Sequence, residues 1–341
     1  NSFCTLLASR PGTMDAPTCL ALASNALLEG NHGAACEFYE VALKLAPNNV
    51  DVLEAYGEVL LHHARDPDRA LQLLRHAAEV CPDEGHVKFG NLAQLTHGKE
   101  SLGYYAKALT ILRKDLARSK VREDKEAIRR SIAETKAAVA ELYLTDLCDE
   151  PDAEEQCEKY VREALSSCST CVDAYQALGS LRLTQECWPD AKAALVRAVE
   201  LCTELEEALQ PPYEARVELG KLLMQVSPRR AFEWLRAVLT LDPQNAYVWF
   251  LMGETARMRG KFHDACRLLK HARFSTGDPE ALAEIDNAVR VLVEEMGGAE
   301  AVAQVPHMDQ PNPLDFLDDD DDDVTDDDAD SCATDSDDDA A

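Results

Sequence analysis

A frame of about 34 residues recurs along the chain, and it limits what the chain can become. Between Val172 and Leu205, Tyr175, Leu178, Gly179 and Leu181 fall on a first helix, and Ala191, Leu195 and Ala198 on a second. Gly179 and Ala191 are small where the paired helices cross closely, while the larger apolar residues fill the space around the crossing. The same frame returns in Ala246 to Gly277, with Trp249, Met252, Gly253, Ala265, Leu269 and Ala272. It returns again in Pro212 to Asn245, with Leu219, Gly220, Ala231, Leu235 and Val238. Near the start, Ala16 to Asn49 carries Cys19, Leu22, Ala23, Ala35, Tyr39 and Ala42, and Val50 to Asp83 carries Leu53, Tyr56, Gly57, Ala70, Leu74 and Ala77. Helical spacing of apolar residues does not explain a glycine recurring at one point and an alanine at another. One helical hairpin leaves apolar surface uncovered, so each unit requires neighbours.

The frame resembles the tetratricopeptide repeat. The expected fold is therefore all-α: a tetratricopeptide (TPR) α-solenoid of about seven helical hairpins with a C-terminal capping helix and a disordered acidic tail. Residues 1–15 read as a flexible lead, 16–298 as the solenoid, and 299–341 as linker and tail. A third unit, roughly Glu84 to Leu116, keeps Phe89-Gly90, Gly98, Tyr105 and Ala108 with a slip in register. The grammar then breaks. No Gly or Pro occurs from Tyr104 to Glu150, and residues 113–130 form a densely charged helical insertion. This predicts an over-long second helix of unit three passing, near Ser119 to Asp124, into an extended first helix of unit four. Two readings stand for the insertion: a solvated face carrying i,i+4 pairs, or a projecting arm.

Composition narrows the function. At 341 residues the length alone suggests about two domains, but stacked hairpins need no separate cores. No stretch reaches the roughly 18 uninterrupted apolar residues of a membrane span, and no basic-then-apolar opening marks a secretory signal, so a soluble intracellular protein is expected. The twelve cysteines are scattered. Cys168-Ser-Thr-Cys171, with Cys148 and Cys157 nearby, raises a zinc site, but no second C-x-x-C accompanies it. Reduced structural thiols are the better reading, with no metal and no cofactor. There is no Gly-rich phosphate loop and no His-Glu-x-x-His, and the nine histidines do not pair with carboxylates at ligand spacing, so no enzyme is expected.

The net charge is −29, and residues 315–341 hold 15 Asp with no Lys or Arg. Such a charge repels nucleic acid and acidic membranes and attracts basic partners. The tail acids Asp318, Asp319, Asp320, Asp321, Asp322, Asp323, Asp326, Asp327 and Asp328 offer no apolar surface to offset ordering entropy. They act as a soft polyanion or as a solubility tail. Thr325 and Ser336, each followed by three Asp, read as acceptors for an acid-directed kinase. A stack of this kind presents the first helix of each unit on its concave side. Candidate groove residues on faces not used for packing are Glu54, Glu58, Asp173, Gln176, Glu214, Glu218, Tyr247, Phe250 and Glu254. Acids interleaved with Tyr247 and Phe250 suit an extended basic peptide.

The run Glu141-Leu142-Tyr143-Leu144-Thr145-Asp146-Leu147-Cys148-Asp149-Glu150-Pro151-Asp152-Ala153-Glu154, with Cys157-Glu158 and Glu163-Ala164-Leu165 after it, resembles one tetratricopeptide family. That family is the dedicated assembly chaperones of the fourth large-subunit ribosomal protein. The resemblance extends to the unit around Gln185 to Ala194 and to the acidic tail. It implies an escort that holds a newly made basic ribosomal protein in groove and tail and carries it to nuclear pre-ribosomes. The implied partners are that client and a nuclear import factor, and the implied places are cytoplasm and nucleus. On its second reading, the charged insertion is an arm that touches the partner or ribosomal RNA. From the residues alone, Thr145 to Glu150 form a turn and Asp152 to Glu155 open a helix, so capping and partner contact both account for them. The alternative function is a generic TPR scaffold of a multiprotein complex.

Overall fold

In the computed structural model, residues 15–63, 66–206, 209–305 and residue 312 are described. Among them the regular structure is helical: α1 (Ala16–Leu28), α2 (His32–Leu45), α3 (Val50–His62), α4 (Pro67–Val80), α5 (His86–Gln94), α6 (Gly98–Arg118), α7 (Arg122–Leu144), α8 (Ala153–Ser167), α9 (Val172–Thr184), α10 (Trp188–Glu204), α11 (Tyr213–Val226), α12 (Pro228–Leu239), α13 (Ala246–Met258), α14 (Phe262–Ser275), α15 (Pro279–Glu295) and α16 (Ala299–Gln304). Two compact units divide the chain, Asn1–Ala177 and Leu178–Ala341, with the boundary inside α9. Each unit consists of antiparallel helical hairpins of the tetratricopeptide kind.

The hairpins close where the frame places its small residues. A Cβ on Gly57 would lie 2.7 Å from Leu74, and one on Gly179 would lie 2.5 Å from Leu195. The distances at Gly220 and Gly253 are 2.4 Å from Leu235 and 2.8 Å from Leu269. Four residues before each of these leucines stands an alanine with no exposed surface: Ala70, Ala191, Ala231 and Ala265. In the first hairpin Ala23 replaces the glycine and Ala35 and Tyr39 take the facing places, all buried. The apolar cost of leaving a hairpin alone is met by the next one: Leu53, Tyr56 and Leu60 of α3 share a core with Phe38 and Tyr39 of α2.

Unit three departs from the expected frame at its close crossing. Gly90 faces open space, so it holds no close crossing. Ala93, buried on the nine-residue α5, takes that role, and the Ser101 hydroxyl donates to its carbonyl at 2.7 Å. Ser101 and Tyr105 therefore stand where Ala70 and Leu74 stand one unit earlier. In unit four, Cys157 and Val161 of α8 fill those places, both buried. A thiol and a hydroxyl substitute for a methyl group, which is why the frame was hard to follow here.

The insertion resolves into two long helices, α6 of 21 residues and α7 of 23, broken only at Ser119-Lys120-Val121. Their shared core ends with Leu109, Leu112 and Ile132, with Leu116 and Ile128 packed beside it. At the other end of the chain, Asp278 caps α15, whose Ile285, Ala288 and Leu292 are buried. Residue 299, where a linker was expected, instead opens a short helix. Residues 299–304 form α16, with Val302 and Val305 buried. The Lys270 ammonium on α14 donates to the carbonyls of Val302 and Val305, both at 2.7 Å. An alanine-rich segment too short to hold a helix alone does so because a lysine collects its terminal carbonyls.

Candidate functional site

The run from Glu141 to Glu154 was open to capping or partner contact, and its local geometry is that of a cap. The loop after α7 returns 48 residues along the sequence to the start of α6. There the Gly98 N–H donates to Asp146 Oδ2 at 2.9 Å, and Asp146 also lies 3.4 Å from the His97 ring. Gly98 has φ +56, a conformation that favours glycine, and Leu147 is buried against the same turn. The Lys99 ammonium meets Glu150 at 2.8 Å. Asp146 thus supplies the carboxylate that a helix start favours, but for α6 rather than for the α8 that follows it.

The expected groove residues fall on first helices, and the structure sorts them. In the first unit, Glu54 of α3 meets the Lys88 ammonium of α5 at 2.6 Å. Lys88 is almost wholly buried and also donates to the Glu84 carbonyl at 2.7 Å. Glu54 is therefore largely committed to an internal cation, a partner 34 residues away that periodicity does not reveal. Glu58 is exposed, and no ion pair to it is found among the described residues. In the second unit, Glu214 on α11 is likewise exposed. Glu218 pairs with Lys221 at 2.7 Å, and Glu254 pairs with Arg257 at 2.9 Å, both three residues apart on their helices. Arg257 reaches on to Glu295 of α15 at 3.0 Å. Tyr247, 42% exposed, stacks on Phe250 with centroids 6.0 Å apart, while Phe250 itself is buried. Phe250 is thus a support for Tyr247 more than a contact surface.

Asp173 and Gln176 stand half-buried on α9, and Asp173 has a neighbour that the sequence reading missed. Burial raises the Asp173 carboxyl above the ordinary carboxylate range. The Glu134 carboxyl of α7 is also raised, first by desolvation among the surrounding helices, then by the charge of Asp173, with Arg130 acting in the opposite sense. Glu134 nevertheless keeps an exposed surface. Two acids on adjacent first helices thus repel each other. The signal was present: Glu134 precedes the fully buried Ala140 by six residues, as Asp173 precedes Gly179. It was hidden because Ala140 occupies the place where other units carry glycine.

Asp318 to Asp323, Asp326 to Asp328, Thr325 and Ser336 lie outside the described residues. Among the described residues, no group of three or more His, Cys, Asp or Glu is arranged to hold a metal ion. Cys168 and Cys171 are free thiols, and burial together with the Asp173 charge pushes Cys171 well up. No described helix is long and apolar enough to cross a membrane.

No family model matches the chain. A curated protein of Schizosaccharomyces pombe, "Probable assembly chaperone of rpl4", is 29% identical over 281 residues, 76% of this chain and 82% of that protein. One of the same name from Emericella nidulans is 30% identical over 273 residues, 75% of this chain and 65% of that protein. Among solved structures, an "Assembly Chaperone of RpL4 (Acl4)", residues 1–338, superposes with a TM-score of 0.60 and 28% identity. That match covers 73% of this chain and 98% of the solved one.

Proposed function

We propose that this chain, a relative of the assembly chaperones of rpl4, is a dedicated chaperone of that ribosomal protein. The observation that carries the reading is similarity over three quarters of the chain, joined to a tetratricopeptide fold that the solved relative shares. The chemistry of the first-helix faces supports it. Glu134 and Asp173 are acids raised by desolvation and mutual charge, so a cationic side chain placed between them relieves a strain already present. Glu58 and Glu214 add exposed acid, and Tyr247, stacked on Phe250, offers an aromatic face to an arginine or lysine. On this reading basic stretches of the client meet the acids of each unit, and the Asp-rich tail shields further positive charge in a salt-sensitive way. The role is binding, in cytoplasm and nucleus, with handover to nuclear pre-ribosomes and no catalytic step.

The test is a pull-down with the full chain at rising salt, with the co-purified proteins sequenced. One basic ribosomal protein, rpl4, should dominate and should be lost progressively as salt rises. Several neutral or acidic partners held without regard to salt would instead make the chain a general scaffold, and the proposal would fail.

A further inference from the structure

The α6–α7 hairpin reverses the charge of the molecule. In a chain of net charge −29, residues 113–130 carry eight Lys or Arg against four Asp or Glu. Arg113, Lys114, Arg118, Lys120, Arg122 and Arg129 are exposed, and Lys125 and Arg130 partly so. Ion pairs elsewhere in the first unit engage many of its cations, but among the described pairs only Arg122 to Glu126, at 2.8 Å, uses one from this segment. The tip is also held in shape. The Ser119 N–H donates to the Asp115 carbonyl at 2.8 Å, and Lys125 N–H to the Val121 carbonyl at 3.2 Å, so both helices run to the turn without fraying. Beyond Leu116 and Ile128 no core requires this length. Ten residues at the start of α7, Arg122 to Ser131, span about 15 Å and bury none of their number fully.

The composition of the tip points to what it meets. A basic client is repelled by it. A peptide that docks as a helix in a groove needs apolar anchors, and residues 106–142 contain no aromatic residue, while the tip itself exposes Val121 alone among large apolar side chains. Phosphates need no such anchors. Arginine forks and lysine ammonium groups bind them directly, and without aromatic residues the segment lacks the ring platforms on which readers of single strands stack unpaired bases. We propose that the tip of the α6–α7 hairpin binds the phosphate backbone of double-helical RNA without reading its sequence. The preference for RNA over other polyanions rests on the function proposed above, in which the client is destined for RNA. The acidic remainder of the molecule turns away from a polyanion, so the hairpin also orients the chain as it approaches.

The experiment uses the full chain without client, so that its outcome is independent of client binding. A labelled RNA duplex of about two helical turns is titrated at low and moderate salt and followed by fluorescence anisotropy. Binding should weaken several-fold in the triple variant Arg118→Gln, Lys120→Gln, Arg122→Gln, and its logarithmic salt slope should fall by about 1 per lost phosphate contact. The control Arg229→Gln, Arg230→Gln, on exposed positions of α12, should leave both unchanged. Circular dichroism shows whether the triple variant remains folded, and its retention of rpl4 in the pull-down should match that of the parent. The proposal is overturned if the parent does not bind the duplex, or if the triple variant binds as well as the parent. Tighter binding of an Asp-rich peptide or a DNA duplex than of RNA would overturn it equally.

Discussion

Glu186 carries the clearest strain in the described backbone. It is the one non-glycine residue there with positive φ, at +58, and it ends α9 in the turn before α10. Its N–H donates to the Leu183 carbonyl at 3.0 Å and the Cys187 N–H to that of Arg182 at 2.9 Å. Gly30 and Gly260 close the equivalent turns with the same pair of bonds and φ near +70. The turn demands a left-handed residue, and a side chain there costs about 1 kcal/mol or more. Glu186→Gly should therefore stabilise the chain by up to about 1 kcal/mol, less what glycine returns in unfolded-state entropy, as denaturant unfolding would show. Gly179 predicts the opposite sign. Its added Cβ would meet Leu195 at 2.5 Å, so Gly179→Ala should destabilise by about 1–3 kcal/mol, measured in the same way. The need for glycine at 179 was legible from repetition. The strain at Glu186 was not, because only the turn's backbone geometry reveals that glycine is missing.

At the level of elements, the loop from Thr145 to Glu150 shows how a local run can serve a distant helix. Asp146 supplies an acceptor to the first turn of α6, where His97 makes no side-chain cap of its own. Asp146→Ala should cost about 1 kcal/mol, in line with loss of a helix cap. Hydrogen exchange should rise at the start of α6 and in the loop, while α11 to α14 remain as protected as before. If protection falls evenly through the chain, the loop is not a local fastener. The over-length of α6 and α7 could be read from the absence of Gly and Pro between residues 104 and 150. The small helix α16 could not, since it depends on Lys270, more than thirty residues earlier, collecting its carbonyls.

For the whole molecule, charge links stability to the proposed binding. The Glu134 and Asp173 carboxyls are raised in the folded chain, so the native state holds their protons more tightly than the unfolded state does. The sign follows: native stability from these groups declines as pH rises from the ordinary carboxylate range through their raised values, and it is recovered on acidification. A cationic client segment seated beside them favours the ionised forms, so binding should release protons. Calorimetry of client binding in two buffers of different ionisation heat should detect that release just above the ordinary carboxylate range and find it diminished once the pH passes the raised values. In Glu134→Gln, Asp173→Asn the release should disappear. Its persistence in that variant would place the client elsewhere. Of the acids expected to meet a client, Glu58 and Glu214 are exposed and have no ion pair among the described residues, whereas Glu54, Glu218 and Glu254 spend much of their charge on internal cations.

The amino-acid order by itself determined the hairpin, its small-residue crossings and the sign of the charge, because each is a matter of spacing or composition along one helix pair. Which acids are met by distant residues was decided only by tertiary structure. A carboxylate's fate depends on whatever charge packing brings within a few ångströms of it: Lys88 for Glu54 across 34 residues, and Glu134 for Asp173 across adjoining repeats. The same holds for Asp146, whose partner is the first turn of a helix that began 48 residues before it.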